Sequence, residues 1–96
     1  MRCMNDGDEK MIAHVKFKSN PEMYAKEISG LKPNTLRKPD VINDERFLLI
    51  EEYRRGDRVL LVIEIFNTIT GESFRRLVDD VSYWDGYYII SWKHAP

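Results

Sequence analysis

Val59-Leu60-Leu61-Val62-Ile63-Glu64-Ile65-Phe66 is the stretch that decides the fold. With Arg58 ahead of it, it is apolar at both parities and rich in β-branched residues, the pattern of a strand in the middle of a sheet. Asn67-Thr68-Ile69-Thr70-Gly71-Glu72 follows as a turn whose glycine can take positive φ. Ser73 to Ser82 then returns as a second strand, with a bend or bulge at Asp79-Asp80. Asp85-Gly86 is a further hairpin turn. It leads into Tyr87-Tyr88-Ile89-Ile90-Ser91-Trp92-Lys93, where Tyr88, Ile90 and Trp92 form the core-facing row and Tyr87 stands outside.

The first half of the chain has a different period. Ile12 to Lys18 alternates, placing Ala13, Val15 and Phe17 on one face and Ile12, His14, Lys16 and Lys18 on the other. A helix starts next. Either Ser19 caps it with Glu22 at N3, or Asn20 caps it with Pro21 at N1. It runs about nine residues to Gly30, with Met23, Ile28 and Leu31 as its apolar side and Tyr24 flanking them. Lys38-Pro39-Asp40 reads as a turn. Asn43 or Asp44 caps a second helix reaching to about Arg54, with Phe47, Ile50 and Tyr53 at every third position, Leu49 beside them, and Arg55-Gly56-Asp57 closing it. The fold class expected is α+β, a small mixed β-barrel with two helices against its open side. Residues 1–10 read as a flexible tail and 11–96 as one domain.

Composition limits the function. The chain has 96 residues, 43% hydrophobic and 32% charged, which is globular composition. No apolar run approaches the ~20 residues of a bilayer crossing, and Met1-Arg2-Cys3-Met4-Asn5-Asp6 is not a secretion signal, so a cytoplasmic location without a membrane partner is expected. The lone Cys3 forms no internal disulfide framework. His14 and His94 lie far apart without a companion ligand set, so neither metal nor cofactor is expected. A net charge of −1 argues against a broad nucleic-acid coat but allows a local basic cleft.

Such a cleft is suggested by Gly30-Leu31-Lys32-Pro33-Asn34-Thr35-Leu36-Arg37. If Thr35-Leu36-Arg37 is extended, Thr35 and Arg37 share a face and Leu36 turns toward the core. Lys32 reaches the same space from a turn favoured by Gly30 and Pro33. An ammonium, a hydroxyl and a guanidinium then converge, suited to a phosphate or a polar base edge; a charged surface loop is the plain alternative.

Gly30-x-Lys32-x-x-Thr35-x-Arg37, followed by Gly56-Asp57 ahead of an apolar strand, resembles the ASCH domain, a branch of the PUA-like barrels. The resemblance spans about Met11 to Trp92. It implies a β-barrel with a cleft beside its first helices, lined by Lys32, Thr35 and Arg37, that binds RNA or nucleotides. Some small bacterial members are similar to amidohydrolases that deacylate N4-acetylcytidine, which implies catalytic parts for Lys32 and Thr35 together with a later glutamate.

The leading expectation is therefore an RNA- or nucleotide-binding domain for single-stranded RNA or a modified nucleoside, with Lys32, Thr35, Arg37, Arg46 and Trp84 as ligand-binding residues. The enzyme alternative has Thr35 attack the acyl carbonyl, Lys32 act as base and acid, and Glu64, or less strongly Glu45, supply the carboxylate. A third reading is a non-catalytic protein-interaction barrel. Arg46 and Arg54 read either as cleft-bordering groups or as plain helix-surface charge. Trp84 and Tyr83 read either as base-stacking groups or as rim packing. Glu64 interrupts an apolar strand, so it should be poorly exposed, with a carboxylate oxygen within about 4 Å of Arg37, Lys32 or a cross-strand arginine.

Overall fold

Five strands and two helices follow one another in the order β1 (Ile12–Ser19), α1 (Pro21–Ser29), β2 (Asn34–Arg37), α2 (Glu45–Arg54), β3 (Leu60–Asn67), β4 (Ser73–Trp84) and β5 (Tyr87–Trp92). The structure, a computed structural model, describes residues 12–39, 44–57 and 60–93. The readings made for the tail, Asp40, Asn43, Arg58-Val59 and His94 lie outside them. The strands form one curled, half-barrel sheet in the order β1-β3-β4-β5-β2, with β1 and β3 parallel and every other pair antiparallel. The fold is thus α+β with a mixed sheet, as the sequence periods imply.

Alternation in β1 holds along the strand: Ala13, Val15, Phe17 and also Ser19 point inward. β3 lies between β1 and β4, and its inner row Leu61, Ile63 and Ile65 is fully buried. Its outer row of Val62, Glu64 and Phe66 is only partly covered, so the strand is central without being buried on both faces. Glu64 belongs to that outer row. It sits in register between Lys16 and Arg75, with Oε1 3.3 Å from Arg75 Nε and Oε2 3.9 Å from Lys16 Nζ. The cross-strand arginine expected for it is Arg75. Bonding from Ser73 first, then from Arg75, keeps its carboxyl below the usual range.

The bulge falls at Asp79. Val78 pairs with Trp92 and Asp80 with Ser91, so one extra residue sits on β4. The insertion changes the parity of the strand, and both Val78 and Val81 face the core. Tyr53 Oη donates to the Val78 carbonyl across 3.2 Å, tying α2 to the irregular point. Beyond it, Asp85 and Gly86 take φ of 54° and 84°, the left-handed pair that a two-residue hairpin turn requires.

Both helices lie on the concave side. Asn20 is the cap of α1: its side chain accepts from Met23 N at 2.8 Å, and Pro21 occupies the first turn. Gly30, at φ 88°, ends the helix. The expected apolar side is corrected here. Leu31 is 82% exposed and Ile28 lies at the surface, whereas the buried residues of α1 are Tyr24 and Glu27. Tyr24 packs edge-on against Phe74, and Phe74 in turn against Trp92. The rest of the inward side of α1 meets polar groups, which is why its apolar spacing misleads. In α2, capped by Asp44, Phe47 and Ile50 enter the core with Phe47 against Phe17 and Tyr88.

Tyr88 Oη donates to Glu51 Oε1 at 2.7 Å, while Arg54 donates to both carboxylate oxygens of Glu51. Bonding from Arg54 and then from Tyr88 holds the Glu51 carboxyl down to about 2, and burial first, with that same bond, pushes Tyr88 up to about 12. A carboxyl depressed in the folded state stabilises above its unfolded value of 4.5 and loses that contribution as pH falls toward about 2. The Glu51 side chain is 27% exposed, so screening keeps its contribution to about 1–2 kcal/mol. Urea unfolding at pH 7 should show Glu51→Gln less stable than the natural chain by that amount, and the difference should close near pH 2.

Candidate functional site

β1 and β2 are the two edges of the curled sheet, and Arg37 spans the opening between them. From β2 its Nη1 donates to the Lys18 carbonyl at 2.8 Å and its Nη2 to Ser19 Oγ at 2.9 Å, both on β1. Its Nε donates to Thr35 Oγ1 at 2.9 Å. Arg46 does the same from α2, with Nη1 2.9 Å from the Lys16 carbonyl. Both arginines thereby occupy carbonyls on the free edge of β1, and both lie over the Phe17 ring, 4.9 Å and 4.4 Å from its centroid.

The shared face of Thr35 and Arg37 is as expected, but the direction of Leu36 is not. Thr35 is 2% exposed and Leu36 is 52% exposed, so the polar pair faces inward and the leucine outward. The inward pair is satisfied by the Arg37 bonds to β1, and these bonds outweigh the burial that Leu36 would have gained.

Glu27 completes the cluster, and the sequence reading missed it. It is 1% exposed, accepts from Ser19 Oγ at 2.9 Å, and holds Oε2 3.8 Å from Lys32 Nζ. A buried carboxylate needs such partners. Two signals were present: Glu27 falls three residues after the inward Tyr24, and Ser19 continues the inward row of β1. Lys32 also donates to the Asn34 carbonyl at 3.1 Å. Burial lowers its pKa below that of an ordinary lysine; Glu27 opposes the shift and Arg37 adds to it.

Lys18, Glu27, Lys32, Thr35 and Arg37 line one open cavity of about 390 Å³ in this region, with Met23 and Leu36 among its apolar walls. Lys32, Thr35 and Arg37 therefore do converge. The structure records no hydrogen bond between Lys32 Nζ and Thr35 Oγ1; the oxygen instead accepts from Arg37. Glu64 lines a separate depression with His14, Lys16 and Arg75 on the outer face of the sheet. It does not join the Lys32 cavity, and the carboxylate that does is Glu27. Glu45 is exposed on α2 and lines neither depression. Arg46 borders a smaller adjoining depression of about 250 Å³ with Lys38, Leu36 and Arg37. Trp84 stands at the β4–β5 turn, 71% exposed, and is not part of the cavity wall. Among the described residues no group of three His, Cys, Asp or Glu side chains gathers as a metal ion would require. No helix among them is long and apolar enough to cross a membrane.

No protein-family model and no curated protein matches the sequence.

Because Glu27 is the anion among these cations, Glu27→Gln should destabilise the fold by about 2 kcal/mol, the scale of a lost bond to a charged group. Glu64→Gln, whose partners stand in solvent, should cost less. Urea midpoints of the two variants at neutral pH check the order.

Proposed function

We propose that the Lys32–Arg37 cavity binds a phosphate-bearing nucleotide, free or within single-stranded RNA, as the ASCH and PUA-like resemblance implies. The observation that carries this reading is the charge of the cavity. Lys32 and Arg37 bring two cations to it against the single carboxylate of Glu27, on a chain whose net charge is −1. Positive charge collected in a partly enclosed space attracts anions and concentrates them there. The volume falls within the range of small-ligand sites, which begins at about 300 Å³. The guanidinium of Arg37 has five N–H groups, and bonds to Thr35, Lys18 and Ser19 leave part of that set for a phosphate. Lys32 is less committed and is the better probe of binding. The reading goes with a cytoplasmic location.

A second reading, hydrolysis of an N4-acylated cytidine, is favoured by one observation: a lysine of lowered pKa lies beside a buried carboxylate in the cavity that also holds Thr35. In that reaction Thr35 Oγ1 attacks the acyl carbonyl, Lys32 takes the hydroxyl proton and returns it to the leaving amine, and water then frees the acyl group. Glu27, in place of Glu64, orients the ammonium. Turnover of N4-acetylcytidine that disappears in both Lys32→Ala and Thr35→Ala supports this chemistry; no turnover, or turnover indifferent to both changes, rejects it. A purely protein-interacting barrel has no such supporting observation.

For binding, calorimetry with uridine 5′-monophosphate should show Lys32→Ala weakened about tenfold, or ~1.4 kcal/mol, and Lys16→Ala unchanged, since Lys16 serves the outer face. Equal losses would count against the cavity. The affinity should also fall as pH rises through the lowered Lys32 pKa, because the cation is lost there. In Lys32→Arg it should stay level over the same range.

A further inference from the structure

On the proposed nucleotide-binding reading, we infer that the outer face of β2, β5 and β4 is a second subsite, where single-stranded nucleic acid leaving the cavity stacks a base on Trp84 and Tyr87. The subsite favours a strand over a free nucleotide.

Register places the residues. Trp84 pairs directly with Tyr87, and Leu36 with Ile89, so their side chains share the outer face. Arg37 pairs with Tyr88, which brings Lys38 beside Tyr87 at the next step, with its Nζ 5.7 Å from the Tyr87 ring centroid. Lys38 just past the end of β2, Tyr87 on β5 and Trp84 on β4 therefore make a row, a cation followed by two aromatic rings. Leu36 is more than half exposed and Trp84 more so, although both are apolar enough to be buried.

Continuity with the cavity and charge complementarity identify the occupant. Leu36 and Arg37 line both the main cavity and the adjoining depression, and Lys38 and Arg46 line that depression as well. A path thus leads from Lys32 past Arg37 to Lys38 and on to the rings. At about 4.8 Å per strand spacing, β2 to β4 is ~10 Å, a length of about three nucleotides at ~3.4 Å each along a stacked strand. Cations at the start of the path serve backbone phosphates, and exposed rings at its end serve base faces, the combination that binds single strands without reading sequence. An apolar protein partner would not call for Lys38 against the ring or for the charged depression beside it.

The test compares uridine 5′-monophosphate by calorimetry with a labelled tetrauridylate by fluorescence anisotropy, at one fixed salt concentration. The natural chain should bind the tetramer at least tenfold more tightly than the monomer. Trp84→Leu should remove most of that gain and leave monophosphate affinity within about twofold, while Trp84→Phe, which keeps a π face, should retain it. Lys38→Ala should weaken the tetramer several-fold. Thermal melting confirms that each variant is folded, and Tyr87→Leu serves as a second aromatic deletion should Trp84→Leu not fold. Tetramer affinity indifferent to both ring deletions overturns the subsite, even when Lys32→Ala still weakens monophosphate binding about tenfold. Monophosphate binding indifferent to Lys32→Ala overturns the cavity reading on which the subsite rests. Concentration-dependent sedimentation that Trp84→Leu abolishes overturns the subsite as well, by assigning this face to contact between copies of the chain.

Discussion

The guanidinium of Arg37 is the interaction on which the rest depends. A curled five-stranded sheet that stops short of closure has two edges, and each presents backbone groups without a ladder partner. Here the edges are β1 and β2, and they are joined by side chains instead of by a sixth strand. Arg37 reaches from β2 to a carbonyl and a hydroxyl of β1, and Arg46 meets the same edge from α2. Phe17 lies beneath both guanidinium groups, so the closure also covers a core aromatic ring.

This closure explains the polarity of the site. A guanidinium drawn into the seam needs an anion, and Glu27 is carried in by α1 to meet Ser19 and Lys32. Thr35 turns inward because its hydroxyl can accept from Arg37, and Leu36 is left facing out. The cavity is therefore the space that remains where a barrel is closed by charged side chains. Arg37 holds the strands together there and, on the proposed reading, also meets the ligand. That double use makes Lys32, with no bond to β1, a cleaner probe of binding than Arg37.

Where one apolar period dominates a segment, the sequence is readable. The alternation of β1, the central β3, the bulge at Asp79 and the Asp85-Gly86 turn all follow from local rules of parity and φ. The face of β2 was not readable in that way. Parity links Thr35 with Arg37, but choosing the inward side requires knowing that a partner edge waits across the seam. Hydrophobicity alone chooses Leu36. Glu27 was missed for the same reason, since a helix read by its apolar spacing assigns a carboxylate to solvent. Glu64 draws the eye in its place because it interrupts an apolar strand. That interruption marks the outer face of β3, where Lys16 and Arg75 flank it in register. Convergence of Lys32, Thr35 and Arg37 was legible because the motif is short and its residues lie on one turn and one strand.

Amide hydrogen exchange on Arg37→Gln against the natural chain tests the closure most directly. With Arg37 removed, protection should fall across residues 12–19 and 34–37 while the amides of the β3–β4–β5 ladder keep theirs, because only the two edges lose their tie. Unchanged protection at both edges, or an equal loss throughout the sheet, would contradict the account.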